Sequence, residues 1–227
     1  FNKQIIFEVG TEEQSGFTNT PDILEEDLKK IKSFCSENNF IQPSFVVIQS
    51  GTRVAETTNV GSFDSPVRVA DELPPEIQIP KMIEICKSNN IMMKAHNTDY
   101  LSDESLQWHP RLGIHAANVA PEFGVKETNS LIKILEENGL NKISDKFLAL
   151  SYNSKKWQKW MIPNSNATDR KKAIIAGHYN FSKKEFLEIK KDAKFELNSK
   201  GINLDKYLKS EIKKSIMRYL RHFRVII

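Results

Sequence analysis

Several large protein classes are closed to this sequence by what it lacks. No apolar run approaches the roughly twenty residues that a membrane-spanning helix needs. There are only two cysteines, Cys35 and Cys86, and they form no CxxC, so they read as buried thiols of a cytoplasmic protein rather than as a disulfide framework. None of the patterns GxGxxG, GxxxxGK, GxSxG or HExxH occurs. Their absence argues against nucleotide binding, nucleophile-elbow hydrolysis and zincin chemistry. No basic stretch followed by an apolar one opens the chain, so no signal-like segment is read there. The first residue is Phe1 rather than Met and a strand pattern begins almost at once, so part of the protein is expected to lie upstream.

What is present is a globular balance: 39% hydrophobic and 27% charged over 227 residues, enough for a substantial core and for an enzyme. The formal charge of +4 comes mainly from the C-terminal third. There the lysines alternate at helical spacing with Glu185, Glu188, Asp192, Glu196 and Glu211. That pattern describes a solvated helix face. No aromatic ladder or nucleic-acid motif accompanies it, so neither a nucleic acid nor a membrane is expected as a partner.

The first 140 residues repeat one arrangement: a short apolar run, a polar strand end, then a helical pattern. "QIIFEVGTEEQSG" leads to "TPDILEEDLKKIKSFCSEN", where Thr20 or Asp22 can cap a helix carrying Ile23, Leu28, Ile31 and Phe34 on one face. "SFVVIQSGT" leads through a long loop to "PKMIEICKSN", with Pro80 suited to a first turn. "IMMKAHNTDYL" is the third run, and "RLGIHAANVAPEFG" the fourth, followed by a helix expected to stop at Gly139. Such units imply an α/β protein with a parallel sheet, either a small doubly wound sheet or half of an eight-stranded barrel. Residues 1–140 are therefore read as βα units and 141–227 as a helical C-terminal extension. The loop between Ser50 and Pro80 is long enough to carry small elements of its own or to act as a lid.

The polar residues gather at the strand ends: Glu12, Gln49, His96, Asp99 and Asn118. In both sheet architectures that is where ligands bind. Glu12 could be a metal ligand, a general base or one half of a salt bridge to Lys94; Glu8, mid-strand, is expected to be structurally paired. Gln49 could hold a sugar hydroxyl or tie loops together. His96 suits proton transfer or zinc, although one histidine without neighbouring ligands makes no metal site. Asp99 could orient the His96 ring or cap the following helix. Lys94 as a Schiff-base amine would need an apolar pocket, which Glu8, Glu12 and His96 argue against. Near His115, the small residues Ala116, Ala117 and Asn118 leave backbone amides that could hold a phosphate.

"GTE" at 10–12, "VVIQSG" at 46–51, "AHNTDY" at 95–100 and "KKWQKW" at 155–160 together resemble the non-catalytic subunit family of class II D-tagatose-1,6-bisphosphate aldolase, the GatZ/KbaZ family. The resemblance implies a TIM (β/α)8 barrel of which this chain is the C-terminal part, strands five to eight and a helical extension. It further implies an accessory role in galactitol or N-acetylgalactosamine breakdown, with the zinc-dependent catalytic aldolase subunit as partner and a sugar phosphate as ligand. Glu12, Gln49, His96 and Asp99 fall on matching positions of the family pattern, while Glu8 and Lys94 depart from it. Candidate catalytic residues are thus His96 and Asp99, and candidate substrate-binding residues Gln49, Gly51 and Asn118. Glu12 and His96 are candidate ligands for zinc or another divalent metal, an incomplete set in this chain. The competing expectations are an aldolase or epimerase that is itself metal-dependent, and a half barrel closed by a second copy of the chain.

Overall fold

Short, mostly apolar runs make the strands of the main sheet, and helices separate most of them along the chain. The computed structural model describes residues 5–10, 18–65, 67, 70 and 73–226. Strand β1 (Glu8–Gly10) precedes helix α1 (Pro21–Glu37), and β2 (Phe45–Ile48) precedes a two-stranded ribbon of β3 (Val54–Ala55) and β4 (Thr58–Asn59). A short 3-10 turn at Ser62–Asp64 and helix α2 (Pro75–Ser88) follow. Then come β5 (Met92–Ala95), α3 (Asp103–Leu112), β6 (Ala116–Ala117) and α4 (Pro121–Glu137). The remainder is helical: α5 (Asn141–Asn153), α6 (Asp169–Ala176), α7 (Lys184–Ser199) and α8 (Leu204–His222).

The main sheet is parallel throughout, in the order β1-β2-β5-β6. Its register is Glu8–Phe45–Met92 in one row and Gly10–Val47–Lys94–Ala116 two residues on, which puts all of these on one face. Val46, Ile48, Met93 and Ala95 point the other way and are buried. Val46, Ile48 and Met93 pack in one core with Leu24 and Leu28 of α1 and Ile79, Met82 and Cys86 of α2. Burial raises the Cys86 thiol to about 11, so it is an inert core group.

The molecule divides into two compact units. One holds the described residues up to Val54, together with Thr58–Val119 and His222–Arg224; the other holds Ala55–Thr57, Ala120–Arg221 and the chain end from Val225. The second unit has its own core, in which Leu131, Leu135, Phe147, Phe186, Ala193 and Leu197 meet. The boundary expected at residue 140 lies in the turn between α4 and α5, inside this unit.

Local signals explain most element ends. Thr20 caps α1, its Oγ1 accepting the Ile23 amide at 3.4 Å, with Pro21 following as the first helical residue. Asn138 and Gly139, the latter at φ +75°, end α4 where a left-handed residue is needed. Two expectations need correction. The buried stripe of α1 is Leu24, Leu28 and Cys35, while Ile23 and Phe34 are exposed. Helix α2 starts at Pro75, so Pro80 lies inside it rather than in its first turn. The cause is Pro74-Pro75, which supplies an earlier start with its φ already fixed.

Candidate functional site

The carboxyl ends of β2, β5 and β6 carry the register one residue beyond the strands. The amide of His96 donates to the Ile48 carbonyl at 3.1 Å and that of Asn118 to the Ala95 carbonyl at 2.9 Å. Gln49, His96 and Asn118 thereby occupy adjacent positions in one row, on the face that also bears Val47, Lys94 and Ala116. The backbone pairing of the sheet, rather than any loop, brings these three positions together. Of the other expected site residues, Glu12 lies outside the described residues.

Within the row, the Gln49 amide nitrogen stands 2.9 Å from Nδ1 of His96. The contact is of hydrogen-bond length and ties the Gln49 amide to the imidazole ring. The Asn97 amide nitrogen is a second, longer neighbour of Nδ1 at 3.4 Å. Gln49 is buried and His96 half-buried. The site therefore offers an imidazole ring tied to two side-chain amides, with the Lys94–Glu8 ion pair one row below.

Lys94, one row below, is ion-paired to Glu8 at 2.6 Å. Its described partner is Glu8, in line with the expectation that Glu8 is structurally paired. A lysine paired with a carboxylate is not the isolated amine in an apolar pocket that a Schiff base requires. The amides of His115 and Asn118 are spent on β5, donating to the Met93 and Ala95 carbonyls at 3.2 and 2.9 Å. These two amides are therefore engaged within the sheet. The cap of α3 is Ser102, whose side chain accepts the Ser105 amide at 3.1 Å. Asp99 is thus not the helix cap; it is a buried residue three positions earlier.

Gly51 is buried at φ +78°, and a side chain there would meet Ser62 Oγ at 2.7 Å and Pro75 at 3.0 Å. Gly61 is as constrained, since a Cβ on it would fall 2.2 Å from the Gly51 carbonyl. The two glycines let the long loop fold tightly back on the end of β2. That loop carries the elements expected of it and adds residues that sequence reasoning missed. Thr52 donates from Oγ1 to the His96 carbonyl, and Asn59 donates from Nδ2 to the carbonyls of Asn97 at 3.0 Å and Asp99 at 2.9 Å. The one signal for Asn59 is its place before Val60-Gly61, turn chemistry that does not disclose a distant partner.

The exit from β5 is conformationally costly. Asn97 and Tyr100 have φ of 50° and 61°, and for a residue as bulky as tyrosine the left-handed region is an outlier. Such residues cost on the order of 1–3 kcal/mol each and persist where their surroundings hold them, which is common at ligand sites.

The metal expectation was tested on the residues themselves. Among the described residues no three histidine, cysteine or acidic side chains come together as a metal site. Glu12, the other expected ligand, lies outside the described residues, and no step is routed through a metal. No described helix is long and apolar enough to cross a membrane.

In the second unit, "KKWQKW" forms a cation–aromatic cluster. Lys159 Nζ lies 4.9 Å from the Trp160 ring centre and 5.1 Å from that of Tyr179, and Lys172 Nζ 5.2 Å from that of Trp157. Lys171 and Ser165 hold the buried Glu56 carboxyl below its usual range, through hydrogen bonds that favour the charged form.

No family model matches the chain, and no curated protein does. Solved structures do match. A probable tagatose 6-phosphate kinase from Sinorhizobium meliloti aligns over 96% of this chain and 56% of its own, with a TM-score of 0.63 at 13% identity. The fructuronate-tagaturonate epimerase UxaE from Cohnella laeviribosi aligns in its native form over 98% of this chain and 46% of its own, with a TM-score of 0.61 at 9% identity. The likeness is one of fold. The chain spans about half the length of these proteins, and its parallel four-stranded α/β sheet is compatible with part of a TIM-like barrel.

Proposed function

We propose that the row formed by Gln49, His96 and Asn118 binds the hydroxyls of a phosphorylated or acidic ketose, within a (β/α)8 barrel. The role we assign to that barrel is the accessory subunit of a class II tagatose-bisphosphate aldolase. The observation that carries the reading is the 2.9 Å contact between Gln49 and His96, which joins an amide and an imidazole side chain in one row at the strand ends. Neutral, directional donors and acceptors at strand ends are the groups that recognise sugar hydroxyls. The barrel reading is supported by the face that carries Glu8, Met92 and Lys94, since inward-facing layers of this kind fill barrel interiors. It is also supported by β1 and β6, which have no outer strand partner among the described residues, and by the greater length of the matched structures.

A second reading is favoured by the alignment of the fructuronate-tagaturonate epimerase over 98% of this chain. On that reading His96 and Asp99 move protons on a keto sugar acid bound at the same row. One set of measurements separates the two. Isothermal titration with tagatose 6-phosphate and with tagaturonate should give binding by the protein, weakened roughly tenfold in His96→Ala by loss of the imidazole ring. Co-purification with a class II aldolase subunit and prolongation of its active lifetime are expected for the accessory role. Interconversion of tagaturonate and fructuronate, abolished by His96→Ala, would replace it with the epimerase reading. Absence of binding to either compound would overturn both.

A further inference from the structure

Asn59 belongs to the small ribbon after β2, yet half of its bonds are made elsewhere. Its Oδ1 accepts the amides of Arg53 and Gly61, each at 3.2 Å, and so closes its own loop. Its Nδ2 donates to the carbonyls of Asn97 and Asp99, at 3.0 and 2.9 Å, beyond the end of β5. With Thr52 bound to the carbonyl of His96, the carbonyls of residues 96, 97 and 99 are all held by one loop. A primary amide suits this position because it combines two donors with an acceptor of two lone pairs.

We infer that Asn59 is a positioning residue for the strand-end site, acting through the backbone that carries His96 and Asp99. The inference rests on the reading of the Gln49–His96 row as a ligand site. It goes beyond that reading by naming what holds the site in shape. The peptide joining Asp99 to Tyr100 is the one about which the unfavourable φ of Tyr100 is set, and Asn59 grips its carbonyl. The second donor grips the carbonyl of Asn97, the other left-handed residue of the turn. Without these bonds the turn would relax toward extended backbone; the His96 amide would keep its place on the Ile48 carbonyl, but the carbonyl side of His96 and the chain on to Asp99 would lose their fixed course.

Asn59→Asp tests this selectively. The aspartate keeps an oxygen for Arg53 and Gly61 but turns a second oxygen on the carbonyls of Asn97 and Asp99, so it spares the ribbon and reverses the positioning contacts. Asn59→Ala removes both halves, and it serves as the second variant should the aspartate not fold. The readouts are the ¹⁵N shifts of the His96 ring nitrogens and the affinity for tagatose 6-phosphate. In both variants the His96 signals should move, and affinity should fall roughly tenfold, the effect of losing a hydrogen bond to a buried group. Lys29→Ala, on the exposed side of α1, should change neither. If the unaltered protein binds the sugar while Asn59→Asp keeps its ring shifts and its affinity, the inference is overturned. If the unaltered protein binds no sugar phosphate, the ligand reading fails alone: moved His96 signals would still uphold positioning, and unmoved ones would overturn it.

Discussion

The sheet-bearing unit and the helical unit bury their apolar residues in different ways. In the helical unit, side chains from α4, α5, α7 and α8 converge on a shared interior, with Phe147 fully buried against the rings of Phe181 and Phe186. In the sheet unit, one face of the sheet is packed under α1 and α2, and the other presents Met92, Lys94 and the site row. Neighbouring residues of β5 show the contrast: Met93 is 0% exposed and Met92 is 38% exposed. The sheet unit thus keeps its polar strand-end groups on the face away from its core, whereas the helical unit closes its apolar side chains around a core of its own.

The sharpest way to break this contrast is Phe147→Ala, which should cost about 3–5 kcal/mol because a large ring is deleted from a packed interior. Denaturant unfolding followed by tryptophan fluorescence would read it, since Trp157 and Trp160 lie in the same unit. In the sheet unit, Met93→Ala should cost about 2–5 kcal/mol and Met92→Ala less than about 1 kcal/mol. Equal costs would mean that both faces are covered.

A pH effect comes next. His109 is 2% exposed, donates from Nδ1 to the Ser105 carbonyl at 3.2 Å and lies against the tilted rings of Phe63 and Phe223. Burial pushes its pKa down to about 4, so between about pH 6.5 and 4 the unfolded chain takes up a proton that the folded one refuses. Stability is full above the unfolded value and falls with pH through that window, by up to about 3 kcal/mol. His109→Phe should flatten that slope in urea titrations at pH 7 and 4.5. The smallest effect is expected for the exposed bidentate pair of Arg170 with Glu136, both contacts at 2.8 Å. Arg170→Lys should cost less than about 1 kcal/mol and should vanish in high salt, as thermal unfolding with and without 1 M sodium chloride would show.

The row at the strand ends was legible because it depends on local pattern only. Short apolar runs located β2, β5 and β6, and the polar residues at their ends, Gln49, His96 and Asn118, fell on equivalent positions. The pairing of Glu8 was legible for the same reason, since a carboxylate mid-strand requires a partner. Asn59 and Thr52 were not legible, because their partners are backbone carbonyls well removed in sequence, and a carbonyl carries no sequence signature. The start of α2 and the buried stripe of α1 were misjudged because several apolar residues compete for each face, and only packing selects among them.

The sequence by itself therefore determined the class, the order of elements and the polar character of the strand ends, all of which follow from local propensity and periodicity. Tertiary structure decided that Gln49 meets Nδ1 of His96, that Gly51 and Gly61 pack backbone to backbone, and that Asn59 grips the exit of β5. These follow from which backbone groups come to lie within about 3 Å of one another, the range over which hydrogen bonds form, and that proximity exists only once the sheet is assembled.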